Sequence, residues 1–110
     1  MTSPLKTEIT QLHAQICGGL ADPNRILILY ELANGPKNVT ELYSALNLTQ
    51  SLVSRHLKIL RERGMVNTER HGTVIIYNLA DERLTQALDL LRAAMGEILA
   101  KQVALMETFE

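Results

Sequence analysis

Apolar residues recur along the first twenty positions at helical spacing. Leu5, Ile9, Leu12, Ile16 and Leu20 follow one another at intervals of four, three, four and four, which lays them in one stripe of an amphipathic helix over about 5–20. Gly18 and Gly19 weaken its last turn, by about 1 kcal/mol each relative to Ala. Asp22-Pro23 restarts a helix, because Asp is a good N-cap and Pro at the first helical position loses no hydrogen bond the helix needs. Ile26, Leu27, Leu29, Tyr30 and Leu32 predict a short, largely buried second helix that Asn34-Gly35-Pro36 ends. Asn38 and Glu41 have capping-box spacing for a third helix, with Leu42, Leu46 and Leu48 on its apolar face and Asn47 as a turn residue. Thr49 caps a fourth helix over about 50–63. Its Leu52, Val53, Leu57 and Leu60 point inward, and Gly64 closes it.

The period then changes. Val66 to Arg70 and Val74 to Leu79 are β-prone, with His71-Gly72 between them, so a hairpin with a glycine-bearing turn is expected over about 66–79. Asp81 is placed to cap a last helix over about 81–106. Leu84, Leu88, Leu91, Met95 and Ile98 recur along it at four, three, four and three, a heptad-like seam that Ala87, Ala94 and Val103 widen. A terminal helix of about 25 residues offers more apolar face than so small a core needs. It is therefore expected to pack on another chain together with the first helix, making a homodimer through 5–20 and 81–106.

Four helices, a hairpin and a final helix make the fold class mainly α with a β-hairpin, a winged helix-turn-helix in one domain over 1–110. The fourth helix carries the chemistry. Its first turns expose Gln50, Ser51, Ser54, Arg55 and Lys58. A helix fits the major groove, where Gln and Arg pair with adenine and guanine edges. Ser and Thr near a helix start, here Thr49 and Ser51, hold phosphates beside free backbone amides.

Charge complicates this picture and then supports it. The whole chain has 11 Lys and Arg against 12 Asp and Glu, a net charge of −1, whereas nucleic-acid-binding domains are usually basic. Between Gln50 and Gly72, however, Arg55, Lys58, Arg61, Arg63 and Arg70 face only Glu62 and Glu69, which makes that segment +3 and the remainder −4. Positive charge sits where docking on double-stranded DNA requires it, and phosphate contacts there make binding salt-dependent.

At these residues the chain resembles the ArsR/SmtB family of repressors. Leu20-Ala21-Asp22-Pro23-Asn24-Arg25 is similar to the family's entry to its second helix, and Leu48 to Leu60 to its recognition helix. Gly64-Met65-Val66, Arg70-His71-Gly72-Thr73 and Ile76-Tyr77 resemble the end of that helix and the wing. The match covers roughly Cys17 to Asp89. It implies a homodimeric operator-binding repressor that an effector releases from DNA. It also implies that Gln50, Ser51, Ser54, Arg55 and His56 read DNA, with Arg70, His71 and Thr73 at the wing.

The chain departs from the family where metals bind. Many members carry Cys-x-Cys in the third helix, but Thr40-Glu41-Leu42-Tyr43-Ser44 holds no sulfur. Others bind metal on the last helix, where two His positions here read Arg83 and Ala94 beside Asp81 and Glu97. Carboxylates alone suit borderline and soft metals poorly, so no metal and no cofactor are expected, and the effector is unidentified. Cys17, the only thiol, reads either as a small core residue or as a redox or thiophilic-metal sensor with His13 four positions before it. His56 reads either as a DNA contact or as packing against the third helix, and His71 as a backbone or groove contact or a solvated turn residue.

The remaining classes are narrowed by what the chain lacks. It has no apolar run of about 18 residues, so no membrane span is expected. Met1 to Ile9 shows no signal-peptide pattern, and one Cys makes no internal disulfide, so a cytoplasmic protein is expected. No Ser-His-Asp arrangement, Gly-rich phosphate loop or carboxylate cluster suggests an enzyme. The alternative to a DNA-binding repressor is a winged-helix protein-interaction module, which the acidic remainder and the long apolar last helix would suit.

Overall fold

The structure, a computed structural model, describes residues 3–108, so the outermost two positions at each end of the expected 1–110 domain lie outside the described residues. The elements are α1 (Pro4–Leu12), a π-helical turn (His13–Cys17), α2 (Pro23–Ala33), α3 (Val39–Leu46), α4 (Gln50–Glu62), β1 (Val66–His71), β2 (Val74–Leu79) and α5 (Arg83–Thr108). The order is that of a winged helix-turn-helix.

Capping follows the residues. Asp22 accepts the Asn24 amide at the start of α2, and Asn38 and Glu41 close a full capping box on α3. Asn47 sits at φ +54 between α3 and α4, a left-handed position that Asn tolerates better than most residues. The Thr49 hydroxyl accepts the Leu52 amide at 3.3 Å, and Gly64 takes φ +74 just past α4.

The first helix differs from expectation. Its regular part ends at Leu12, and the π-helical turn adds a bond from the Gly18 amide to the His13 carbonyl. Arg63, at the end of α4, donates to the Ala14 and Gln15 carbonyls of this widened turn, and the Gln15 side chain donates to the Arg63 carbonyl at 2.9 Å. A side chain on Gly19 would collide with the sulfur of Met65, which is fully buried and has no room to yield. The glycines therefore weaken the helix but let it approach the start of the wing.

The hairpin turn lies one residue later than expected. His71 pairs with Val74, so the two-residue loop is Gly72-Thr73, with Gly72 at φ +66. Glycine at the first central position is what a type II′ hairpin turn requires. A further strand-like pairing, Lys37 with Tyr77, joins the wing to the entry of α3. Its Tyr77 amide donates to the Lys37 carbonyl at 2.8 Å.

The core gathers Ile28, Leu29 and Leu32 of α2 with Leu42, Val53, Leu57 and Leu60, and is closed by Met65, Val66 and Leu88. Leu27, expected inside, is 47% exposed, and Ile28 is fully buried instead. Ile28, Leu29 and Leu32 share one face of α2 and turn inward together, which leaves Leu27 on the other side. Only Thr85 and Leu88 of α5 are buried; Asp89 and Arg92 still meet Tyr30 of α2, and every residue of the helix after Leu88 is exposed in the protomer.

Candidate nucleic-acid interface

Along α4, residues advance by about 100° each. Val53, Leu57 and Leu60 are locked into the core, which leaves Gln50, Ser51, Ser54, Arg55 and Lys58 on one exposed arc. Burial of the leucines thus determines which side chains are offered outward. Thr49 is exposed at the helix start, where its hydroxyl is already engaged as the cap. Arg70, His71 and Thr73 are exposed on the wing, and His71 Nε2 lies 3.2 Å from Glu69 Oε2, which offsets part of the positive charge there.

His56 does not belong with these residues. It is 4% exposed and lies on the side of α4 opposite the polar arc. Arg25 Nη1 donates to its Nδ1 at 3.3 Å, and Asp22 Oδ1 stands 3.8 Å from its Nε2. The expected DNA contact is corrected: the ring packs toward α2, because position 56 falls between Val53 and Leu60 in the inward stripe. That spacing was visible in the sequence. Burial, with Arg25 and Arg55 nearby, holds the imidazole pKa below its ordinary value of 6.5 against the opposing pull of Asp22.

Two arginines have roles that sequence reasoning missed. Arg25 donates through Nε to the Gly19 carbonyl at 2.8 Å and through Nη2 to Gly18 at 3.3 Å. Arg63, counted among the basic residues of the reading segment, is turned onto the π-helical turn instead. No sequence signal separates such backbone-capping arginines from solvated ones. Arg55, Lys58, Arg61 and Arg70 remain exposed.

On the other side, Leu12, Ile16 and Leu20 face Leu84, Leu88 and Leu91 across an open apolar groove of about 370 Å³. Cys17 is exposed, which corrects its reading as a core residue. Directly after Ile16 in sequence, it falls off the Ile16–Leu20 stripe. Among the described residues no three His, Cys, Asp or Glu side chains converge within one protomer. Asp81 Oδ1 accepts the Arg83 amide at 2.9 Å, and its Oδ2 lies 2.7 Å from Arg83 Nη2. The side-chain and backbone bonds from Arg83 lower the Asp81 carboxyl pKa to about 2, and the group beside it is a guanidinium, which has no lone pair to offer a metal.

Comparison with known proteins agrees with this geometry. Residues 22–68 match the model of the bacterial regulatory protein family arsR. The chain is similar to the HTH-type transcriptional regulator NmtR of Mycobacterium tuberculosis, with 40% identity over 80% of this chain and 73% of the relative. It is also similar to the HTH-type transcriptional repressor SmtB of that organism, with 42% identity over 86% of this chain and 70% of the relative. Among solved structures, the homodimeric winged helix-turn-helix DNA-binding domain from Mycobacterium bovis superposes with a TM-score of 0.75 at 28% identity, covering 89% of this chain and 91% of that one.

Proposed function

Since this chain belongs to the ArsR family of bacterial regulatory proteins, DNA-binding transcription regulators rather than enzymes, we propose that it is a homodimeric repressor of an imperfectly palindromic operator. Each protomer inserts α4 into one of two successive major grooves, about one helical turn apart. Gln50, Ser51, Ser54 and Arg55 read or border base edges. Thr49, Lys58, Arg70, His71 and Thr73 hold phosphates. The observation that carries this reading is the exposed polar and basic arc of α4, held outward by the burial of Val53, Leu57 and Leu60.

The apolar faces of α1 and α5 form the dimer seam of a single-domain protomer, as expected of a chain so similar to a homodimeric domain. No described helix is long and apolar enough to cross a membrane. Regulation of a bacterial operator places the protein in the cytoplasm. The effector acts elsewhere than the family's usual metal positions, which lack sulfur in α3 and imidazole on α5. Exposure of Cys17 favours a thiol-reactive signal as the second reading.

Gel-shift titration at several salt concentrations tests the proposal. Binding of a duplex selected from a random library should weaken steeply as salt rises. No shift at low salt would favour a protein-interaction module instead.

A further inference from the structure

Among the described residues, His56 Nε2 is the one buried side-chain nitrogen or oxygen without a hydrogen-bond partner. Its surroundings dictate its protonation. A guanidinium has only donors, so the 3.3 Å bond from Arg25 requires a lone pair on Nδ1 and puts the ring's single proton on Nε2. That proton faces Asp22 Oδ1 at 3.8 Å, an oxygen already accepting the Asn24 amide at 2.8 Å. A second proton would go on Nδ1, against the donors of Arg25, replacing a hydrogen bond with two facing cations. Two further donors of Arg25 hold the Gly18 and Gly19 carbonyls. One imidazole and one guanidinium thus join the inward side of α4 to the end of the first helical stretch. The charged groups facing the ring are Asp22 and Arg25 from α2 and its cap, with Arg55 on α4 itself.

We propose that neutral His56 is a positioning residue for DNA reading: it holds α4 to the end of the first helix through Arg25, and a proton on its ring releases α4, so that operator preference falls in mild acid. This rests on the DNA-binding reading above. The sign follows from the surroundings, because burial and the two arginines favour the neutral ring. The tie is intact above the ordinary histidine value and weakens as pH falls through 6.5 toward the lower folded-state value.

The test compares the wild type with His56→Gln and His56→Leu, using a duplex selected from a random library by the wild type. Fluorescence anisotropy gives the ratio of affinities for selected and random duplex between about pH 8 and about pH 5.5, the range of histidine titration. Charge effects common to both duplexes cancel in this ratio, so it reports operator reading rather than general attraction to phosphate. The wild-type ratio should fall on the order of tenfold. His56→Gln keeps an acceptor for Arg25 and a donor toward Asp22 but does not titrate, so its ratio should match the wild type near pH 8 and stay flat. The ratio for His56→Leu should be low throughout. Nitrogen NMR of the free wild type should show Nδ1 bare near pH 8.

A wild-type ratio that stays flat, parallel profiles for wild type and His56→Gln, or a proton on Nδ1 would overturn the proposal while leaving DNA binding standing. Failure to select any duplex would overturn the DNA-binding reading and this inference with it. Should His56→Gln fail to fold, the wild-type profile and the NMR still decide.

Discussion

The α4 and α5 helices carry apolar stripes of similar regularity, and the fold treats them in opposite ways. Val53, Leu57 and Leu60 of α4 are at most 1% exposed, whereas Leu91, Met95 and Ile98 of α5 are all more than half exposed. The first stripe is closed within its own protomer. Its burial fixes the roll of α4 and hence the side chains presented outward. The second is closed only by another molecule, and in the proposed dimer that interface sets the distance between two reading helices. One region therefore determines what is read, and the other determines whether two copies read together. Arg63 and, through His56, Arg25 tie α4 to the end of the first helical stretch, each capping carbonyls there.

The largest expected effect would break this comparison from the α5 side. Met95→Glu puts a charge into the proposed seam and should weaken dimerisation by about 3–5 kcal/mol, leaving a folded monomer. Sedimentation with far-ultraviolet circular dichroism reads both, and an unchanged dimer would remove this stripe from the interface. Leu57→Ala attacks the other stripe and should cost about 2–5 kcal/mol of unfolding free energy in urea. The loss should be equal in the wild type and in the Met95→Glu monomer, since the two sites share no partners; a smaller loss in the monomer would mean that the α4 core depends on the partner.

The next predictions concern reading itself. Arg55→Ala should reduce the preference for the selected duplex over random DNA by about 1–3 kcal/mol. Equal losses on both would make Arg55 a phosphate contact. Arg70→Ala should weaken binding on all sequences alike and lower the salt slope by about 1; an unchanged slope would take the wing off the backbone. Smallest of all, Cys17→Ser should change thermal stability by about 0.5 kcal/mol or less, since the residue is exposed in the protomer. A loss of effector release with intact DNA binding would make it the sensor.

Much of the candidate site was legible because it depends on local rules. Helix starts at Asp22, Asn38 and Thr49 carry their own caps, and the outward residues of α4 follow from the period of its leucines. His56 follows the outward Arg55, but its spacing of three from Val53 and four from Leu60 assigns it inward. The π-helical turn was not legible, since nothing in His13–Cys17 demands it. It depends on Arg63 and Gln15 meeting across 48 positions of chain. The displacement of the hairpin turn by one residue has a local cause, the need for Gly72 at the first loop position.

By itself, the sequence determined the element order, the caps, the basic segment and the surplus apolar face on the last helix, because each arises from neighbours a few residues apart. Tertiary structure alone decided which charges remain free to meet DNA. Arg63 and Arg25 are spent on backbone carbonyls, Cys17 is turned outward, and His56 is confined between an arginine and a carboxylate. Those outcomes depend on where distant segments come together, and hydrogen-bond donors in a folded chain are drawn to whichever unpaired carbonyls the packing leaves within reach.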